Sequence, residues 1–257
     1  MENSFEVSII TPVYNSSSFL KDNIESLQKQ TFKNYEHILI DDCSSDSSVE
    51  MIENYAKIDN RIKLIRLDKN SGAGVARNTG IKAAIGRYIS FLDADDYWHA
   101  SKLERQIKFM SEMDCAFSYT QYYIVEGNEE KPSYIVKSPS KINYNDILKN
   151  CYVGCLTAMY DTQKIGKFYM PKIRKRQDWV LWIKILEKTN VAYGIQEPLA
   201  YYRVGNESLS NNKFKLIKYN FSVYHEVLKM GYLTSVYRMV LFLFHYFKFK
   251  TFSKKSL

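Results

Sequence analysis

Four short apolar runs, each followed by polar residues and a helical stripe, fill roughly the first ninety residues and leave little choice of fold. Glu6 to Thr11 is the first run, and Pro12 is expected to end it because proline cannot donate to a sheet ladder. His37 to Ile40, Ile62 to Leu67 and Tyr88 to Leu92 are the others. Between them, Phe19, Leu20, Ile24 and Leu27 form a stripe behind a cap at Asn15 to Ser18. Val49, Ile52 and Tyr55/Ala56 form a second, capped by Ser44, Ser45 and Asp46, and Ser71-Gly-Ala-Gly74 opens a third helix. This alternation predicts an α/β, Rossmann-like, mostly parallel sheet flanked by helices. In such sheets ligands bind beyond the carboxyl ends of the strands, on one edge. Thr11, Asp41/Asp42 and Asp93/Asp95 fall on that edge, so acids distant in the sequence are expected to share a cleft.

The run Tyr88-Ile-Ser-Phe-Leu-Asp-Ala-Asp-Asp-Tyr-Trp98 passes from buried strand to three carboxylates, Asp93, Asp95 and Asp96. Carboxylates this close repel one another, and a divalent cation carrying a phosphorylated ligand would relieve them. The plainer alternative is an acidic turn capping the helix that starts near Ser101. Asp41 and Asp42 have the same two readings, helix-capping acids or acceptors for a nucleobase and ribose. Gly72-Ala-Gly74-Val-Ala-Arg77-Asn78-Thr-Gly80 has the wrong spacing for a dinucleotide fingerprint. Its small residues fit a close helix approach that leaves Arg77 free to reach phosphate. Asp178 precedes the apolar helix Trp179 to Leu186, where it can cap the helix, serve as a base, or both.

The second half reads less clearly. Strands are expected at Ala116 to Val125, Tyr134 to Val136 and Thr157 to Tyr160, with a short helix at Asn145 to Asn150 and an extended piece at Ala200 to Val204. Two helices separated near Gly231 follow Asn212. Four cysteines form no disulfide framework, and Cys151 and Cys155 lack a second pair for zinc. The amino-terminal stretch has no secretory pattern, so the cell interior is the expected compartment. From Lys213 onward nine Lys/Arg face one acid, Glu226, so this segment carries the whole net charge of +8. Leu233 to Phe249 is densely apolar and aromatic, but its uninterrupted core is too short to span a bilayer. A basic apolar helix suits an anionic membrane surface, with a terminal helix packed on the body as the alternative. Nucleic acid is not expected as a partner, because apolar bulk outweighs any Lys/Arg stripe.

Taken together, Val7-Ser-Ile-Ile-Thr-Pro-Val-Tyr-Asn15, Ile40-Asp-Asp-Cys-Ser-Ser-Asp46, Asn70 with Ala76-Arg-Asn-Thr-Gly80, and Phe91-Leu-Asp-Ala-Asp-Asp-Tyr-Trp98 resemble family 2 glycosyltransferases, in order and in register. The clear match spans about residues 5–110, with looser agreement through Ser210. The resemblance implies a GT-A fold, a UDP-sugar donor, Mn2+ or Mg2+, and inversion at the anomeric carbon. It implies that Pro12, Val13 and Tyr14 line the base pocket, and that Asp41 or Asp42 accepts from uracil. Arg77 and Ala94 would lie near the nucleotide. Asp93 would contact ribose or metal, Asp95 would hold the metal, and Asp178 would be the base. Tyr202-Arg-Val-Gly205 is similar to a late Tyr-Arg-X-His element in which Gly205 replaces the histidine, leaving Arg203 as a phosphate partner.

The expected organisation is a catalytic domain at 1–211, with a nucleotide-sugar half at 1–98 and an acceptor half at 99–211, and a basic helical tail at 212–257. The expected acceptor is a saccharide on a membrane lipid diphosphate, as in bacterial polysaccharide assembly. The enzyme would then work at the inner face of the cell membrane. A non-catalytic nucleotide-sugar-binding module and a nucleotidyltransferase of similar fold are the competing classes.

Overall fold

The computed structural model describes residues 5–126, 131–204 and 213–256. Strands β1 (Val7–Val13), β2 (Tyr35–Asp41), β3 (Ile62–Arg66) and β4 (Tyr88–Phe91) are parallel, in the spatial order β4-β1-β2-β3. Helices α1 (Ser17–Gln28), α2 (Ser48–Ile58) and α3 (Ala73–Ala83) connect them. β2 and β4 are buried along their whole length, as continuous apolar runs in a doubly covered sheet should be.

Pro12 does not end β1, which continues to Val13. The carbonyl of Ile10 accepts from Leu92 on the β4 side, and that of Val13 accepts from Asp42 on the β2 side. Alternation therefore turns the proline nitrogen toward β4, which has already ended at Phe91, opposite Ile10. No ladder bond is lost. The expected local caps are also replaced. Ser16 makes no side-chain cap, and Asn15 is left-handed at φ 47° with its side-chain oxygen accepting from Ser45 N. Asp46 accepts from both Ser17 N and Ser48 N, so one carboxylate fastens the starts of α1 and α2 together.

The sheet is extended by β5 (Tyr97–Trp98), β6 (Phe117–Glu126), β7 (Tyr134–Val136), β8 (Lys141–Asn143), β9 (Met159–Asp161), β10 (Val191–Val204) and β11 (Lys254–Ser256). Its main path runs β11-β7-β6-β9-β4-β1-β2-β3, and β10 lies along β6 while also pairing β5 and β8. The extended piece expected at Ala200 is the end of this long β10, whose register shifts on either side of Pro198. α4 (Lys102–Glu112), α5 (Tyr144–Ile147), α6 (Thr162–Ile165) and α7 (Gln177–Thr189) complete the body. The last segment forms α8 (Lys213–Ser222), a π-helical turn at Val223–Val227, and α9 (Tyr232–Ser253). Val223, Tyr224, Met239 and Phe242 enter the main core with Trp179 and Trp182, and β11 joins β7, so this segment packs on the body.

Two close contacts prepare the site. A Cβ on Gly80 would stand 2.5 Å from Ile10 and 2.8 Å from Ile40, so glycine lets α3 press onto β1 and β2 and bring Arg77 to the strand ends. Beneath β5, the buried Lys102 amine lies 3.7 Å from the Trp98 ring centroid and donates to Gln106 at 2.8 Å. Gln106 donates to the Ser118 hydroxyl and the Thr157 carbonyl, and Trp98 donates to the Leu156 carbonyl. These bonds anchor the 3-10 turn Cys155–Thr157.

Burial pulls the Lys102 amine well below the usual lysine value. Below the usual value the unfolded chain binds a proton that the folded chain refuses, so this lysine makes stability rise with pH toward the unfolded value. Denaturant titrations from pH 7 to 10 should therefore show a smaller upward slope in Lys102→Met than in the wild type. Identical slopes would mean that Lys102 is charged in the fold.

Candidate active site

β4 ends at Phe91, and the next turn carries Asp93, Ala94, Asp95 and Asp96. Arg77, one helical turn before Gly80 on α3, donates through Nη2 to Asp93 Oδ1 at 2.5 Å. Burial opposes the charge on Arg77, but Asp93 and more weakly Asp178 outweigh it and hold the guanidinium cationic. Asn23 on α1 closes the turn by donating to the carbonyls of Asp93 at 2.9 Å and Asp96 at 3.0 Å. Asp96 is buried; its Oδ1 accepts from Arg203 N at 2.9 Å, and its Oδ2 has no partner among the described residues. Asp95 opens to solvent yet lies deep among protein atoms. Burial, then the charge of Asp93, pushes its carboxyl up to about 6. The same causes, with Asp95 added, raise Asp96 further.

Asp178 reaches this turn from the other half of the chain. It lies in the first turn of α7 but is not the N-cap, which is Arg176 in a left-handed conformation at φ 67°. Arg176 Nε donates to Asn220 of α8 at 2.7 Å, and its guanidinium lies over Trp179 and Phe242. Asp93, Asp96 and Asp178 line one cavity of about 330 Å3, with Tyr202, Cys155 and Arg176 also on its wall. Tyr202 registers the convergence. Its hydroxyl is pushed up to about 12, first by burial and then by Asp96, Asp95, Asp93 and Asp178. Among the described residues nothing donates a hydrogen bond to the Asp178 carboxylate.

The other expected residues are not among those that line this cavity. Asp42 is buried and accepts from Ser71 N at 2.6 Å and Gly72 N at 2.7 Å, which shapes the start of α3. Asp41 is buried too and accepts from Ser44 N at 3.1 Å. Gln177 presses on Gly74, where a Cβ would meet its amide at 2.6 Å, so the starts of α3 and α7 touch. Val13 is buried, Pro12 half-buried and Tyr14 exposed at the end of β1. The Arg203 guanidinium points elsewhere, bonded to Asp22 at 2.8 Å and lying over Phe19 and Tyr97. Gly205 and its loop lie outside the described residues. The cysteines are free, and among the described residues no group of three or more His, Cys, Asp or Glu stands ready to hold a metal.

Asn23, Tyr152 and Phe249 were not among the residues expected at the site. Asn23 carried a signal, a polar residue inside the stripe of Leu20, Ile24 and Leu27 on α1. Tyr152 and Phe249 carried none, because their place depends on how the second half folds back, whereas Cys155 and Tyr202 stood in stretches already noted for other roles.

Comparison with known proteins gives the family and the fold. The family model Glycosyl transferase family 2 matches residues 8–164. The Bacillus subtilis protein named putative teichuronic acid biosynthesis glycosyltransferase TuaG is 42% identical over 91% of this chain and 93% of its own. Escherichia coli WfgD, named as a UDP-Glc:alpha-D-GlcNAc-diphosphoundecaprenol beta-1,3-glucosyltransferase, is 40% identical over 84% of each chain. Among solved structures, Staphylococcus aureus TarS 1–349 in complex with UDP-GlcNAc superposes with TM-score 0.72 at 22% identity, over 93% of this chain and 72% of that one. At that identity the likeness is one of fold.

Asn23→Ala should leave two carbonyls of the acidic turn without their donor. A loss of about 1–3 kcal/mol is expected in denaturant titration. An unchanged midpoint would show that water takes over both bonds.

Proposed function

As the chain belongs to glycosyl transferase family 2, we propose that it moves a sugar from a UDP-sugar to a saccharide hydroxyl with inversion, the acceptor being carried on a membrane lipid diphosphate in bacterial polysaccharide assembly. The observation that carries this reading is the shared cavity of Asp93, Asp96 and Asp178. It brings a charge-crowded turn and an unengaged carboxylate together from separate halves of the chain. The substrate class follows the activities for which WfgD and TuaG are named.

An inverting transfer is a single displacement. The acceptor oxygen forms its bond to the anomeric carbon as the bond to the diphosphate breaks on the opposite face, and UDP leaves with the electron pair. Asp178 takes the acceptor proton, which calls for a carboxylate free to accept. The turn fits a divalent cation, Mn2+ or Mg2+. Asp93 and Asp95 are hard oxygen donors on one turn, and a cation between them would relieve their mutual repulsion. Two carboxylates are enough where diphosphate oxygens and water complete the shell. When bound, the ion would neutralise the departing diphosphate. Arg77 orients Asp93 and has further N–H groups for the nucleotide. Pro12, Val13 and Tyr14 would flank the base, Ala94 the nucleotide, and the remaining lone pairs of Asp41 or Asp42 would accept from uracil. The Arg203 guanidinium is bonded to Asp22, and its backbone N–H to Asp96. We therefore assign it to the turn, through its backbone bond to Asp96.

The tail reading is a peripheral contact with the inner face of the cell membrane. Leu233, Tyr237, Val240, Phe244 and Phe247 are exposed along one side of α9, away from the buried Met239 and Phe242. Among the described residues no helix is long and apolar enough to cross a membrane. Attraction of a segment of net charge +8 to anionic lipid supports a surface contact.

Asp95→Ala should abolish most metal-dependent UDP release with acceptor present; undiminished release would remove the metal role. Asp178→Asn should cut transfer by roughly 10²–10⁴-fold while UDP binding by calorimetry is preserved. Lost UDP binding would instead mark Asp178 as structural. The double variant Val240→Glu/Phe244→Glu should no longer float with vesicles rich in phosphatidylglycerol. Retained flotation would reject the membrane contact.

A further inference from the structure

One residue of the carboxyl-terminal helix lines the Asp178 cavity together with the acidic turn. Phe249, in the last turns of α9, lines the cavity and meets Tyr152 edge-on, with ring centroids 5.1 Å apart and planes at 81°. Tyr122 and Tyr202, which also line the cavity, form a second edge-on pair at 6.1 Å. Phe249 is held there from several directions. β11 continues directly from α9 and pairs Lys254 with Val136 of β7, itself a lining residue. Met239 and Phe242 sink earlier turns of the helix into the core. Arg176, beside Asp178, binds Asn220 of α8 and lies over Phe242 of α9.

The cavity thus combines ring edges and faces with carboxylates. That is the chemistry that takes a sugar, whose C–H faces pack on aromatic rings while its hydroxyls bond to acids. The donor diphosphate belongs on the Asp95 and Arg77 side, so the space running past Asp178 is left for the sugar whose hydroxyl loses its proton. We propose that Tyr152 and Phe249 are the acceptor-recognising wall, contacting the acceptor sugar on the side nearest its lipid. This rests on the reading of the chain as a transferase to a lipid-linked saccharide. The exposed stripe of α9 ends at Phe247, two residues before Phe249. Leu233 to Phe247 spans roughly 20 Å along the helix. Phe249 lies about 200° round the helix from Phe247, so it turns into the cavity from the face opposite the stripe, and an acceptor anchored in the membrane would pass round the end of α9 to reach Asp178 beside Tyr152 and Phe249. The residues that read the acceptor and those that meet the membrane then share one helix.

The test uses the full chain with two probes, UDP and GlcNAc-diphosphate carried on an eleven-carbon alkyl chain, each titrated by calorimetry. UDP-glucose turnover on the same acceptor is measured separately. Phe249→Ala and Tyr152→Ala should each weaken acceptor binding about five- to tenfold, the loss of an aromatic contact, with UDP affinity and melting temperature held. Phe249→Leu keeps the apolar volume and guards against a helix that merely detaches; it should show a smaller loss in the same direction. In turnover the defect should appear in the acceptor KM and not in the donor KM. Acceptor affinity unchanged in all three variants overturns the proposal, as does a wild type that binds UDP but not this acceptor. A wild type that binds both and transfers nothing would sink the transferase reading while the binding losses still uphold the wall.

Discussion

The ion pair between Arg77 and Asp93 is the contact on which the site depends. Three carboxylates within four residues repel one another, and unit charges about 4 Å apart interact by about 4 kcal/mol at an effective dielectric near 20. Arg77 offsets part of this only because α3 lies hard against β1 and β2, which needs a residue without a side chain at Gly80. Asn23 and the backbone of Arg203 then fix the turn from two other directions. Even so, burial first and the neighbouring acids second keep the carboxyls of Asp95 and Asp96 raised. The protein closes the turn without fully neutralising it, and a cation arriving with the donor would meet the remaining charge.

The two edges of the parallel sheet divide stability from chemistry. At the amino edge, the buried Glu36 carboxylate is saturated by Ser8, Lys63 and the Ile85 backbone N–H. A buried acid with all its partners supplied by the protein fixes the strands and binds nothing further. At the carboxyl edge, Asp42 is spent on the start of α3, whereas Asp96 Oδ2 and the Asp178 carboxylate stay unengaged among the described residues. Both edges carry buried acids, and the difference between them is who supplies the partners.

The parallel half was legible because its strands are continuous apolar runs, and a run closed by acids names the edge at which it ends. What failed there failed for reasons of pairing. Pro12 was read as a stop because its neighbour's end at Phe91 was invisible, and Asp46 was read as a cap for one helix when it serves two. The second half was less legible because β10 is bulged on both sides of Pro198 and contains the consecutive exposed residues Gln196 and Glu197, so no period of two survives. Motif resemblance named Asp178, yet its place in one cavity with Asp93 follows from how α7 packs against α3, at Gly74 and Gln177. Phe249 was beyond reach for a stronger reason: a tail read as a separate element gives no cause to look for a wall of the site in it.

The exposed seam of α9 has two physical solutions. Leu233, Tyr237, Val240, Phe244 and Phe247 follow steps of four and three, the spacing by which a helix meets a second helix. A second copy would bring another segment of net charge +8 alongside the first, and that repulsion falls off only over a Debye length of about 8 Å at physiological salt. An anionic bilayer reverses the sign of the same term, at about 1 kcal/mol for each Lys or Arg near the surface. The apolar stripe alone does not choose between these partners. The charge around it does, and it favours the surface in which a lipid-linked acceptor is embedded.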